Sequence, residues 1–169
     1  MQWFFLVGFM GAGKTTLGSK VAARLAIPFY DLDERVALKA GMTIPEIFEA
    51  EGEHGFRRRE TNTLREILAT ERAGVVATGG GAFSIEENRI AMSAAGVSVW
   101  LDVPIDTIMS RVGGAERPLW QSEAEVRALA QQRKNDYRQA NHHLELGTDS
   151  IDDCAARLCE LLATYRGDS

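Results

Sequence analysis

Cysteine is scarce, basic charge is in deficit, and no apolar run is long. Each shortage removes a class of protein. Cys154 and Cys159 are the only cysteines and lie five apart in a segment that reads as helix, so they do not share a face. Neither a disulfide framework nor a Cys/His metal site has the spacing it needs. The pair is expected to be reduced and packed, as in a cytoplasmic protein. His142 and His143 are adjacent, and on a strand they would point to opposite sides. Lys and Arg number 19 against 24 Asp and Glu, for a net charge of −5, so the basic footprint of a nucleic-acid binder is missing. No stretch has the length to cross a bilayer, and the apolar start lacks the basic flank of a secretory leader. No repeat, low-complexity tract or linker interrupts the chain. With 169 residues, 45% of them apolar, it is expected to form one globular domain with a full core. A monomer is expected, since no coiled-coil pattern or apolar surface stripe is present.

What is there begins with Gly8-Phe-Met-Gly11-Ala12-Gly13-Lys14-Thr15, a complete G-x-x-x-x-G-K-S/T phosphate loop. The run from Gln2 to Val7 reads as a buried strand feeding it. Lys14 onward reads as a helix, with Leu17, Val21 and Leu25 on one stripe. A strand, a glycine loop and a helix N-terminus aim backbone N–H groups and a positive helix end at one point, which suits a polyphosphate. Lys14 would reach the β- and γ-phosphates, and the Thr15 hydroxyl would ligate Mg²⁺.

Strand and helix signals alternate, which predicts an α/β fold with a mostly parallel sheet. Further strands are expected at Phe29–Asp33, Val75–Thr78, Val97–Asp102 and His143–Leu146. Capping boxes are expected at Thr43 with Glu46, Ser84 with Glu87, and Ser122 with Glu125. Gly52 and Gly96 read as helix stops. A last helix is expected from Ser150, with Ala155, Leu158, Leu161, Leu162 and Tyr165 facing inward. Val112-Gly-Gly-Ala-Glu-Arg117-Pro118 reads as a mobile loop carrying a cation.

Four features address the phosphoryl acceptor. Asp31 and Asp33 are two apart on an expected strand end, where both carboxylates would face a site from one side. One could hold Mg²⁺ and the other take a hydroxyl proton, or one could cap the next helix. In Phe56-Arg57-Arg58-Arg59-Glu60, helical spacing lets Arg57 pair with Glu60, a clamp for a planar anion, while Arg58 and Arg59 turn away toward solvent. Gly79-Gly80-Gly81 lets backbone approach a ligand with no side chain between, or forms a tight turn. Arg133 shares a stripe with Val126, Leu129, Ala130 and Tyr137, so an inward charge must meet either an internal carboxylate or a bound anion. Arg117 could swing over the γ-phosphate as an arginine finger in cis, and lid closure would exclude water.

Taken together, the phosphate loop, Asp31-Leu32-Asp33, Phe56-Arg57 with Glu60, the glycines 79–81 and Arg117-Pro118-Leu119 resemble shikimate kinase in order and spacing. The resemblance covers nearly the whole chain. It implies a three-layer P-loop kinase fold with a five-stranded parallel sheet in the order 2-3-1-4-5, flanked by helices. An acceptor region at about 33–60 and a lid at about 112–124 come with it. It also implies MgATP-dependent phosphorylation of the 3-hydroxyl of shikimate, with Lys14, Asp33 and Arg117 as catalytic residues. ATP would be held by Gly11, Ala12, Gly13, Lys14, Thr15, Thr16, Arg111 and Arg117, with Arg111 over adenine. Shikimate would be held by Asp33, Phe48, Phe56, Arg57, Glu60, Gly79, Gly80, Gly81 and Arg133. Thr15 and Asp31 would form the magnesium environment. The chain departs from the family pattern R-x-P-L-Y, reading Arg133-Lys134-Asn135-Asp136-Tyr137, which bears on how the helix turn runs and how far Arg133 reaches. A same-fold kinase for gluconate or a nucleoside monophosphate, and a non-catalytic nucleotide-binding module, are the alternatives.

Overall fold

The computed structural model describes residues 2–112, 122–147 and 149–165, with Val112 described in its backbone alone. Among these residues the strands are β1 (Trp3–Val7), β2 (Phe29–Asp31), β3 (Val75–Ala77), β4 (Gly96–Asp102) and β5 (His142–Glu145). They form one parallel sheet in the order β2-β3-β1-β4-β5, as expected. Phe5 registers with Val76 on one side and Ser98 on the other. Every residue of β1 is buried, the pattern of a central parallel strand covered on both faces.

Helices flank the sheet. They are α1 (Lys14–Leu25), α2 (Leu32–Ala40), α3 (Ile44–Thr70), α4 (Glu86–Ala95), α5 (Ile105–Val112), α6 (Glu123–Tyr137) and α7 (Ile151–Ala163). α1 packs on α7, and α4 packs on β4. The main core gathers β1, β3 and β4 with Leu17, Val21, Met92, Leu158 and Leu162. A smaller cluster of Val36, Ile47 and Phe56, joined by Phe48, ties α2 to α3. None of the described helices is long and apolar enough to cross a membrane.

Beyond one-residue shifts at the ends of β1, β3, β4 and β5, two boundaries differ from expectation. The second strand ends at Asp31, and Leu32 opens α2. Asp31 is the N-cap, its Oδ1 accepting from the Glu34 N–H at 3.1 Å, and Asp33 lies in the first helical turn. Asp31 and Asp33 therefore do not share a strand face. A short carboxylate that can satisfy an orphan amide starts a helix in preference to extending a strand. Ser84 does not cap α4. It ends a 3₁₀ turn, Ala82–Ser84, closed by Ala82 N–H to Gly79 O and Ser84 N–H to Gly81 O, and Ile85 occupies the cap position. Glu87 pairs with Arg65 instead.

Other caps follow the sequence. Thr43 and Glu46 form a full capping box; at Ser122 only half of the expected box forms, the Ser122 hydroxyl accepting from Glu125 N–H, and Ser150 accepts from Asp153 N–H. Gly96 caps α4. Gly52 breaks α3 into two segments without ending it, at φ 67° and ψ −177°.

Candidate active site

The phosphate loop leads from β1 into α1. Gly13 takes φ 85° immediately before the helix, and α1 has neither a side-chain N-cap nor an acidic first turn. Its leading amides therefore suit an anion from outside the chain. Lys14 is buried, with Nζ donating to the carbonyls of Gly8 and Phe9 at 2.8 Å each. Thr15 Oγ1 donates to Asp31 Oδ2 at 2.5 Å. Asp31 thus both caps α2 and reaches the loop, using one oxygen for each. The two readings of the Asp-x-Asp pair meet in one residue. No described cluster of three or more His, Cys, Asp or Glu could hold a metal alone. One hydroxyl beside one carboxylate suits a hard cation that draws its other ligands from water and phosphate, as Mg²⁺ does.

The three glycines follow β3, and their neighbours explain them. A Cβ on Gly79 would stand 2.2 Å from Glu60 Oε1 and 2.6 Å from Asp33 Oδ1. One on Gly80 would stand 3.4 Å from Arg133 Nη1, and one on Gly81 2.3 Å from Arg57 Nη2. The expected acceptor residues, from α2, α3 and α6, therefore converge on a backbone that has no side chains to hold them off.

Arg57 Nη1 pairs with Glu60 Oε2 at 2.8 Å, its guanidinium lies 5.1 Å from the Phe56 ring centre, and Phe56 stacks on Phe48 at 4.8 Å. Of the two arginines expected to face solvent, Arg58 is exposed but Arg59 is held by Glu51 at 2.5 Å. The kink at Gly52 brings Glu51 within reach.

Glu60 is fully buried. Burial pushes its carboxyl up to about 7; Arg57 opposes this and Asp33 adds to it. Arg133 is 5% exposed, and its guanidinium lies 5.8 Å from the Phe9 ring centre. Burial lowers its proton affinity. Arg133 Nη1 and Glu60 Oε1 have no hydrogen-bond partner among the described residues. A buried guanidinium N–H without a partner asks for an anion.

A cleft of about 730 Å³ runs along the phosphate loop and reaches the acceptor residues at Asp33 and Gly80. Gly11, Ala12, Gly13, Lys14, Thr15 and Thr16 line one end, with Asp31, Asp33 and Gly80 beside them. The far end is walled by Arg111 together with Leu146, Gly147 and Asp149 from the loop between β5 and α7, and Ile151 and Cys154 from the first turn of α7. Sequence reasoning missed this wall. The signal was the position of the loop at the carboxyl end of a strand, where ligands of open α/β sheets gather. Arg117 and most of the expected lid lie outside the described residues. The histidines are structural: His143 stacks on Trp100 at 4.2 Å and lies 2.9 Å from Asp102, and His142 bonds Tyr165.

A family model described as shikimate kinase matches residues 10–163. The chain belongs to the shikimate kinase family. A shikimate kinase of Symbiobacterium thermophilum is 44% identical over 168 residues, covering 93% of this chain and 94% of the relative. One from Cereibacter sphaeroides is 42% identical over 163 residues, covering 94% and 81%. The solved shikimate kinase of Acinetobacter baumannii, in complex with shikimate, superposes with a TM-score of 0.92 at 37% identity, covering 99% of this chain and 96% of that one. Within the family pattern, Asn135 and Asp136 let α6 run unbroken to Tyr137, and Arg133 keeps its buried place against Gly80.

Proposed function

We propose that this protein transfers the γ-phosphoryl group of ATP to the 3-hydroxyl of shikimate, giving shikimate 3-phosphate and ADP. One observation carries the reading. The phosphate loop shares a cleft with Asp33 and Gly80, and the half-buried Arg57 and buried Arg133 guanidiniums lie against the same glycine strip, at Gly81 and Gly80. Two fixed guanidiniums suit the acceptor's carboxylate. Asp33 accepts the hydrogen bond of the attacking hydroxyl and takes its proton. Glu60 holds Arg57, Gly79 and Gly81 leave room for these side chains, the Gly80 amide meets the ring, and Phe48 and Phe56 wall the pocket.

On the donor side, the amides from Gly11 to Thr16 and Lys14 bind the phosphates. Arg111 and the Leu146–Cys154 wall take the adenine. Thr15 and Asp31 hold Mg²⁺, which when bound neutralises charge on the phosphates. Arg117 is assigned the charge that develops on the transferring group. The chain works as one domain, with its acceptor region at about 33–60 and its lid at about 112–124.

The test is ADP release from MgATP with and without shikimate, with gluconate and nucleoside monophosphates as controls. ADP release that depends on shikimate is expected. Stimulation by a control and not by shikimate would move the protein to another acceptor. Protein that binds ATP but turns over none of them would be a nucleotide-binding module.

A further inference from the structure

We propose that Tyr137 is a positioning residue, which locks the Gly80–Gly81 peptide in the orientation the acceptor pocket requires. The proposal rests on the acceptor reading above for its kinetic consequence, but not for the lock itself. Tyr137 ends α6 one turn after Arg133, on the same inward face. It is 2% exposed, and its ring packs on Trp100 with centres 6.0 Å apart. Trp100 is in turn stacked on His143. A ring held this way has little freedom, and its hydroxyl donates to the Gly80 carbonyl oxygen. Burial raises the proton affinity of the phenol, with Arg133 opposing, so the hydroxyl remains a donor near neutral pH.

The consequence lies in the next bond. All described peptides are trans, so the Gly81 N–H points away from the Gly80 oxygen. Holding that oxygen against Tyr137 aims the Gly81 N–H in the opposite direction. Gly80 and Gly81 carry no Cβ, so their own backbone preferences allow either orientation of the peptide between them. The 3₁₀ turn holds the peptides on either side through Gly79 O and Gly81 O, and the tether holds the one between them. Arg133 and Arg57 lie against Gly80 and Gly81 respectively, so this peptide sits between the two guanidiniums. A flipped peptide would turn the Gly80 oxygen to the side that the Gly81 N–H now faces, next to the Gly80 amide assigned to the acceptor. A polyhydroxy acid would meet repulsion in place of a donor.

Tyr137→Phe keeps the ring and removes the hydroxyl. In unliganded, ¹⁵N-labelled protein, the Gly80 and Gly81 amide resonances are expected to broaden or double. The melting temperature should change by no more than about 4 °C, the scale of one lost hydrogen bond in a chain of this length. KM for shikimate should rise roughly five- to tenfold, with KM for ATP unchanged. An unchanged KM for shikimate, or an equal rise for both substrates, overturns the proposal whatever the amides do. If wild-type protein does not turn over shikimate, the functional reading fails. The amide spectra then decide the lock alone, and wild-type-like Gly80 and Gly81 signals in the variant would reject it.

Discussion

At Glu60 two opposed effects meet. Burial favours the neutral acid and Arg57 favours the carboxylate, and burial wins, raising the group from its ordinary 4.5 to about 7. Between those values the folded protein keeps a proton that the unfolded chain releases. This group's contribution to stability is therefore greatest at low pH and is lost as pH rises through about 7. Glu60→Gln should remove on the order of 1–3 kcal/mol from the fall in unfolding free energy between about pH 5 and 7, read by urea titration across that range. Identical slopes in the two proteins would show that Arg57 keeps Glu60 ionised throughout. Asp33 faces a different test, because its assigned work is on the acceptor proton. Asp33→Asn should leave ATP binding intact and lower kcat by about 10²–10⁴-fold. A kcat near wild type would reduce Asp33 to a residue that orients substrate. Both side chains crowd Gly79, so their coupling was beyond the reach of sequence spacing. The Arg57–Glu60 pairing was within reach, since three residues on a helix are neighbours in any fold.

Among the elements, α3 shows how a local irregularity sets distant geometry. Its first segment carries Ile47 and Phe48, and its second carries Phe56, Arg57 and Glu60. The break at Gly52 turns one against the other, so that Phe48 stacks on Phe56 and Glu51 reaches Arg59. At φ 67° and ψ −177° the backbone there suits glycine alone. A Cβ on Gly52 would meet nothing within 4 Å, so the cost of a side chain is one of backbone conformation. Gly52→Ala should destabilise the fold by about 1–3 kcal/mol, measured by denaturant midpoint, and raise KM for the acceptor more than for ATP. An unchanged midpoint would mean that the helix straightens without penalty. The glycine was legible as a helix breaker, but whether the helix ended or resumed depended on the cluster of Val36, Ile47 and Phe56 waiting beyond it. The cap at Thr43 was legible because its partners lie within one turn. The Ser84 box failed because the exit from the glycines is taken by a 3₁₀ turn.

For the whole molecule, the nucleotide cleft draws on residues from Met10 to Cys154, so ligand binding should report on global stability. MgATP at a hundred times its Kd should stabilise the fold by about 2.7 kcal/mol, seen as a rise of several degrees in Tm. Chelation with EDTA should remove much of that gain, because Thr15 and Asp31 are assigned to the metal. No shift with MgATP would reject the nucleotide site, and an equal shift with and without EDTA would reject the metal assignment.

The sequence by itself determined the phosphate loop, the alternation of strand and helix, most caps and the pairing of Arg57 with Glu60. Those features are recorded in spacings of a few residues, and at that range backbone geometry is nearly independent of the rest of the fold. The tertiary structure decided three things. Asp31 serves the loop and α2 together, the β5–α7 loop walls the cleft, and Asp33, Glu60, Arg57 and Arg133 all press on one glycine strip. Each joins elements remote in sequence, and only the packed sheet, with its strand ends aligned on one side, brings them together.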